Sequence, residues 1–482
     1  MEFRNLTPFD ALCFASLDAQ DTPHRTIVMR VGYRITLDAQ GATVLTPMDE
    51  DAVPLCIQDE CFEALNTSSP RQESDLAPYK PACDIIVIGS AHTPQDHPQP
   101  QVRVNCRIQR PDGAMPIPER PRGLNPLMAP STEALDAWKD AKQRAQRTPK
   151  PGEVLLDKTL IVTGERSFRR LPWPLAPLGK LVQILSLGVM KPTPWRLTAP
   201  KPFTTLPLRY EYAWGGQSRI NAGEAAAKRV PKNARLTPTQ RAEHPDAQAP
   251  ETQQAIAHDA CEYNPLGHGA VSSWWLKATR TRSVPAPRIE RPSARVSARD
   301  FWRHAQKPSA TPPTACQPAG FGALARPWQP RRALAGTYDQ HWLDTRHPNL
   351  PEDFDFGYWN CAPDDQQVPY LVGDEQLSFT NLSAADTPGV QRDQNGNSVL
   401  RCALPRHRAF VLTRWHDGLL LPLPMRIDTL IADLDAQRID LVWRLVLPES
   451  LPIRVAETRY EVNPQAPLVR MAKPRTEERV HG

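Results

Sequence analysis

The side chains best suited to chemistry crowd into residues 335–382. His341, Asp344, His347, Asp353 and Asp355 stand there among Tyr338, Trp342, Phe354, Phe356, Tyr358, Trp359, Tyr370 and Phe379. Asp353-Phe354-Asp355, with His347 close by, offers two carboxylates and an imidazole to a divalent cation. A hard cation needs several converging oxygens, and one such doublet does not make a site. Local hydrogen bonds that pin a loop are the simpler role, because buried polar groups are normally satisfied. His341, His347 and Asp344 are the residue types of a general base and its orienting carboxylate. A hydrolase would also need a nucleophile. The chain has no G-x-S-x-G elbow, and Gly89-Ser90-Ala91-His92 lacks the second glycine.

Other candidates are weaker. Gly215-Gly216 and Gly267-His268-Gly269 match neither a Walker A loop nor G-x-G-x-x-G, so tight turns or close backbone contact are expected there. His268 reads as a packing residue. Cys56 and Cys61 have no second pair at zinc-finger spacing. A basic run from Lys277 through Arg280, Arg282, Arg288, Arg291, Arg295, Arg299 and Arg303 to Lys307 carries Phe301 and Trp302. A nucleic-acid groove would use both charge and aromatics. The run is loose and broken by prolines, so a solvated connector or a contact for an acidic partner is the better reading.

The elements that must position these groups follow from composition and pattern. The chain has 482 residues and 53 prolines, roughly twice the average proline usage. Prolines break helices and central strands, so a mostly helical fold is excluded. A net charge of +5 implies no dedicated polyanion partner. Nine cysteines, an odd number, are scattered along the chain and read as reduced thiols in a cytoplasmic protein. The N-terminus lacks a signal-peptide pattern, and no apolar run is long enough to span a bilayer.

Residues 1–110 read as an N-terminal β region. Alternation over 27–35 predicts a strand with one buried face and Arg30 and Arg34 on the other. Residues 38–41 supply a turn, and 42–46 return as the partner strand. Residues 84–89 suit a strand buried on both faces, and 102–108 alternate again. Residues 111–150 form a Pro/Arg-rich insertion with one helix, Thr132–Arg147, capped by Ser131 or Thr132. Residues 151–217 continue the β core, with a strand over 154–164, a short apolar helix at 181–190, and a strand then a glycine turn over 203–217. Residues 218–334 read as a polar and then basic, Pro-rich insertion and connector, with 218–260 mobile or helical at the surface. Residues 335–463 hold the aromatic-acidic segment and a C-terminal β region. In it 376–379 alternate like a strand, and 425–434 and 439–447 form a hairpin. There Ile427, Thr429 and Ile431 face Ile439, Leu441 and Trp443. Residues 464–482 read as a tail. The expected fold is mainly β, a β-sandwich or otherwise sheet-rich, with a few short helices and long Pro-rich loops.

A succession of short motifs adds a resemblance. Asn5-x-Thr7-Pro8-Phe9 opens it, followed by Glu73-Ser74-Asp75-Leu76-Ala77-Pro78-x-Lys80-Pro81. Lys158-x-Leu160-x-Val162-x-Gly164-x-Arg166, Pro207-Leu208-x-Tyr210-Glu211 and Asn264-Pro265-x-Gly267-x-Gly269 come next. Pro318-x-Gly320-Phe321-Gly322, Trp328-x-Pro330-Arg331, Ala335-Gly336-Thr337-Tyr338-Asp339, Trp342, Arg346-x-Pro348-x-Leu350-Pro351-x-Asp353-Phe354-Asp355, Asn360-x-Ala362 and Gly373-x-Glu375 complete it. The order resembles an uncharacterised-domain family of bacterial proteins encoded beside type VI secretion spike genes. Phe168 and Gln72 depart from it, each standing where an aromatic (Trp for Phe168) is expected.

The resemblance implies a non-enzymatic cytoplasmic adaptor or chaperone. Such a protein binds a secreted effector or a PAAR-type spike tip and promotes its loading onto a VgrG-type trimeric spike. It implies no cofactor, metal, nucleic acid or membrane insertion. No catalytic residue carries over; Gly336, Tyr338, Trp342, Arg346, Pro351, Asp353, Asp355 and Asn360 are implied as structural. A hydrolase acting as the effector itself, and a structural part of the secreted spike, stand as the alternatives.

Overall fold

The computed structural model describes residues 1–18, 20–65, 67–113, 121, 132–147, 152–172, 193–308 and 312–469. The chain is mainly β, with several sheets and few, short helices. The expected helix at 181–190, the Ser131 cap and the last part of the tail lie outside the described residues. The helix Thr132–Arg147 is present.

A seven-stranded sheet forms the centre. Its strands run in the order Ala11–Leu17, Pro23–Leu37, Arg438–Pro448, Arg426–Asp433, Cys83–Ile88 and Gln367–Val368, with Thr43–Pro47 also paired to Pro23–Leu37. The turn at 38–41 therefore returns the chain as its sequence predicts, and Cys83–Ile88 is buried throughout. A six-stranded antiparallel sheet is built from Ile289–Glu290, Val154–Thr163, Gln101–Gln109, Gln376–Thr380, Ser398–Ala403 and Val390–Arg392. A four-stranded sheet orders Glu2–Asn5, Ile453–Glu461, Arg408–Trp415 and Leu420–Pro424. One hydrophobic cluster takes residues from all three, among them Met29, Val31, Val104, Cys106, Phe379, Leu400, Val411, Leu430 and Leu441. Alternation puts every second side chain of each strand into that shared interior.

Several expectations are corrected. Residues 26–33 are all buried, not on one face only. The second face is covered by the segment through Val53, Leu55 and Leu76: Val28 packs on Leu55, and a Cβ at Gly32 would meet Val53 Cγ2 at 2.4 Å. Arg30 is thus enclosed, whereas Arg34 remains exposed. The C-terminal hairpin forms, but a bulge between Ile427 and Thr429 shifts its register. Ile427 faces Trp443, whereas Leu430 and Ala432, not Thr429 and Ile431, oppose Leu441 and Ile439. A bulge adds one residue to one strand and turns the rest over, which a period-two reading cannot anticipate. Ile431 packs on the other face with Ile86 and Ile88.

The 203–217 region is three short pieces, Thr205–Pro207, Tyr210–Tyr212 and Trp214–Gly215, rather than one strand. Residues 218–260 are not mainly helical. Gln217–Asn221 and Ala255–Ala260 pair as antiparallel strands over a cluster that includes Ile220, Val230 and Ile256. The basic stretch beyond is a packed element, not a connector. Ala298–Gln306 is a helix with a capping box between Ser297 and Asp300. Its Phe301 stacks on Phe168 at 4.3 Å and meets Trp195 at 5.1 Å. The charges advertised a surface, but one apolar stripe was enough to seat the helix.

Candidate functional site

The aromatic-acidic stretch is a loop whose turns are set by its own carboxylates. Gly336 adopts φ +77°, and a Cβ there would lie 2.8 Å from Asp353 Oδ1, so the position suits glycine alone. Thr337 donates its backbone N–H to Asp353 Oδ1 (2.9 Å) and its hydroxyl to Oδ2 (2.7 Å), which closes the loop's two ends on each other. These two bonds hold the Asp353 carboxyl below its usual range. Asp339 caps the short helix Gln340–Thr345 by accepting from Trp342 N at 2.9 Å. The Trp342 indole donates to Asn349 O at 2.9 Å.

Arg346 forks onto Asp21 (2.7 and 3.2 Å) and also reaches Leu350 O (3.0 and 3.2 Å). Pro351 is buried, with its Cβ 2.9 Å from where a Cβ at Gly336 would stand. Asp355 accepts from Gly357 N at 2.7 Å. Both carboxylates of Asp353-Phe354-Asp355 therefore serve loop amides. Among the described residues no group of three or more His, Cys, Asp or Glu is placed to hold a metal ion. Nor does a hydrogen bond among the described residues join His341 or His347 to Asp344, which accepts from Gln340 at 2.9 Å. The structure does not assemble that base and its orienter.

Asn360 leads to the molecule's charged interior. Its Nδ2 donates to Ala82 O (2.9 Å) and Asp84 Oδ1 (3.0 Å). Asp84 also accepts from Lys80 Nζ (2.8 Å), Cys361 N (3.1 Å) and Ala362 N (3.1 Å). Lys80 completes its set on Thr429 Oγ1 at 2.8 Å. Similar arrangements recur. Arg30 donates to Asp440 (2.7 Å), Gln72 (2.9 Å) and Asp75 (3.3 Å). Arg331 binds Glu73 and the carbonyls of Leu324 and Tyr358. Arg444 binds Asp428 and the Asp75 carbonyl. Burial holds the Lys158 ammonium down to about 8 against the pull of Asp365, to which it donates at 2.7 Å. Buried charges persist only when paired, and these pairs stitch distant segments together. Glu73, Asp75, Lys80, Lys158, Arg166 and Arg331 of the motif series all fall in such pairs.

The loop leaves an aromatic surface outside. Buried Phe354 underlies it and touches the partly exposed Phe356 (5.4 Å between centroids) and Tyr358 (5.6 Å); Tyr358 touches Trp359 (5.6 Å), and Phe356 reaches Tyr79 (6.0 Å). Tyr338 packs edge-on to Trp342 at 4.8 Å. Tyr338 is 54% exposed and Leu343 53% exposed.

Two further features escape a reading of the sequence. A cavity of about 540 Å³ is lined by Cys61, Leu65, His258, Cys261 and Trp328, among others. Burial pushes the Cys261 thiol up, away from a reactive thiolate. Behind it His244 joins Asp246, its Nε2 lies 3.2 Å from His258 Nδ1, and His258 Nε2 lies 3.1 Å from Gln217. Burial first, then His244 and Arg219, lower the His258 pKa, with Asp259 and Asp246 opposing. Burial lowers His92, His304 and His407 as well. A histidine depressed in the folded state favours folding while neutral. That stability is complete above the unfolded value of about 6.5 and is lost as pH falls toward the folded pKa. The melting temperature is therefore expected to drop from pH 7.5 to 5. His258→Gln should shallow that slope. An unchanged slope in His258→Gln refutes the assignment for that residue.

A strand-rich scaffold with ion-paired charges in its interior and a partly exposed aromatic face is the class these features define. The model of a family described as an uncharacterized protein conserved in bacteria (DUF2169) matches residues 21–117 and 137–444. The chain belongs to that family. Its description names no secretion system, activity or partner. No curated protein and no solved structure matches the chain. Among the described residues no helix is long and apolar enough to cross a membrane.

Proposed function

We propose that the protein is a non-enzymatic adaptor of type VI secretion. It binds a secreted effector or PAAR-type spike tip in the cytoplasm and promotes loading onto a VgrG-type trimeric spike. Two supports carry the reading: the ordered motifs that resemble such adaptors, and the partly exposed aromatic face held on a loop with locked turns. The face is the single structural observation behind it. Aromatic anchors supply much of the energy of protein interfaces, and fixing them beforehand lowers the ordering cost of binding. Asp353, Asp339 and Arg346 do that fixing here.

The test is co-purification of the full chain with the effector and spike proteins encoded beside it. Tyr338→Ala combined with Leu343→Asp should weaken capture at least tenfold and leave the melting temperature nearly unchanged, since both side chains are more than half exposed. Undiminished capture by this variant removes the aromatic face from the reading. Turnover of a substrate by the isolated protein, or toxicity on its expression alone, favours the hydrolase alternative instead.

A further inference from the structure

Among the described residues the edges of the three large sheets are blunted, with one exception. Gln367–Val368 and Ile289–Glu290 are two residues long, and Val390–Arg392 three. Glu2–Asn5 carries Glu2 and Arg4, Leu420–Pro424 contains Pro422 and Pro424, and Thr43–Pro47 ends in proline. Short length, charge and proline are the usual means of stopping a foreign strand from pairing. Ala11–Leu17 has none of them. It is a seven-residue edge strand, ALCFASL, with no charge, proline or glycine.

Its open side can be read from the register. Arg30 N donates to Asp10 O, and Asp18 N donates to Thr22 O. With Leu12 opposite Val28 and Phe14 opposite Thr26, the hydrogen-bonded pairs fall on the even residues. The N–H and C=O groups of Ala11, Cys13, Ala15 and Leu17 therefore point away from the sheet. Among the described residues no hydrogen bond takes them up. Leu12 and Leu17, exposed at 39% and 40%, flank the edge on opposite faces.

We infer that this edge accepts an extended segment of a partner polypeptide as an added antiparallel or parallel strand. The occupant carries alternating apolar residues and basic residues near its ends. A second copy of this chain is disfavoured by charge. Self-pairing with full overlap about Phe14 sets Asp10 of each copy opposite Asp18 of the other, in a close, non-hydrogen-bonded pair. A basic residue at each end of a partner strand meets those same carboxylates favourably. The inference rests on the adaptor reading for the origin of its occupant. Main-chain bonds supply affinity in such strand addition, and alternate side chains supply selectivity.

The test uses the full chain and a fluorescent nine-residue peptide of alternating valine and threonine with a lysine at each end. Anisotropy should show saturable binding. The same peptide with alternate backbone amides methylated should not bind, and aspartate in place of the lysines should weaken binding severalfold. Ala15→Pro deletes an outward N–H without removing a bond to Pro23–Leu37, and should lower affinity at least tenfold at an unchanged sedimentation coefficient. Should that variant fail to fold, Ala15→Lys leaves the backbone intact, charges the edge, and is expected to give the same loss. The inference is overturned by absent peptide binding, or by equal binding of the methylated peptide. Wild-type affinity in the folded edge variant overturns it too, as does a dimer of the free chain that the edge variant abolishes. Effector and spike capture that survives in a folded edge variant sinks this inference alone. Edge-dependent peptide binding without any such capture sinks the adaptor reading alone.

Discussion

Asp84→Ala is expected to destabilise the protein by about 3–5 kcal/mol, the cost of leaving one member of a buried ion pair without its partner. That is a large part of the roughly 5–15 kcal/mol that holds a typical domain together. Asp84 is fully buried and accepts from Lys80, Asn360 and the amides of Cys361 and Ala362. Its loss strands an ammonium and three further donors. A paired change separates the two contributions. Lys80→Met with Asp84→Leu removes both charges, and replacing a buried pair by apolar groups is often nearly neutral. Here rescue should be incomplete, because the loop at 360–362 still lacks its acceptor. Urea unfolding of the single and double variants decides this. Equal stability of Asp84→Ala and wild type would falsify the role given to Asp84, and full rescue by the double change would show that the loop amides contribute nothing.

Arg30→Met should be of similar size. Burial pulls the Arg30 guanidinium down, but Asp75 and Asp440 outweigh it and hold it charged. Methionine leaves Asp75 without that cation, while Asp440 keeps Arg438 at 2.9 Å. The expected loss is about 3–5 kcal/mol at pH 7. The pH response identifies the cause. A carboxylate stripped of its cation has a raised folded pKa, so the variant gains stability relative to wild type as the group protonates on acidification. The gap between the two should narrow from pH 7 to pH 5, read by urea unfolding at each pH. A constant gap means that lost packing, not the unpaired Asp75 carboxylate, carries the effect.

The motif series led to an uncharacterised bacterial family, and the family match covers most of the same residues. Its secretion role remains the proposal made above. Individual elements were legible to different degrees. The strand expected over 84–89 was plain, because a short apolar run such as 85–88 has few other uses, and it forms as Cys83–Ile88. Thr43–Pro47 followed from the turn before it. Phe301 was hidden by the arginines around it and by the prolines that break the stretch. Asp353 and Asp355 read as loop-pinning groups beside the metal alternative, and they are found bonded to Thr337 and Gly357.

What the sequence determined by itself is local. Strand alternation, the hairpin turns and the rejection of a helical fold depend on neighbours a few positions away. Side-chain period and backbone sterics act over that range. What only the tertiary structure decided is which charges meet. Arg30 and Asp440 lie 410 positions apart, and Asn360 and Asp84 lie 276 apart. The open edge at Ala11–Leu17 belongs to the same kind, since a strand is an edge only by virtue of what fails to pair with it. Such juxtapositions depend on how the sheets stack and where a bulge falls, and no spacing along the chain records them.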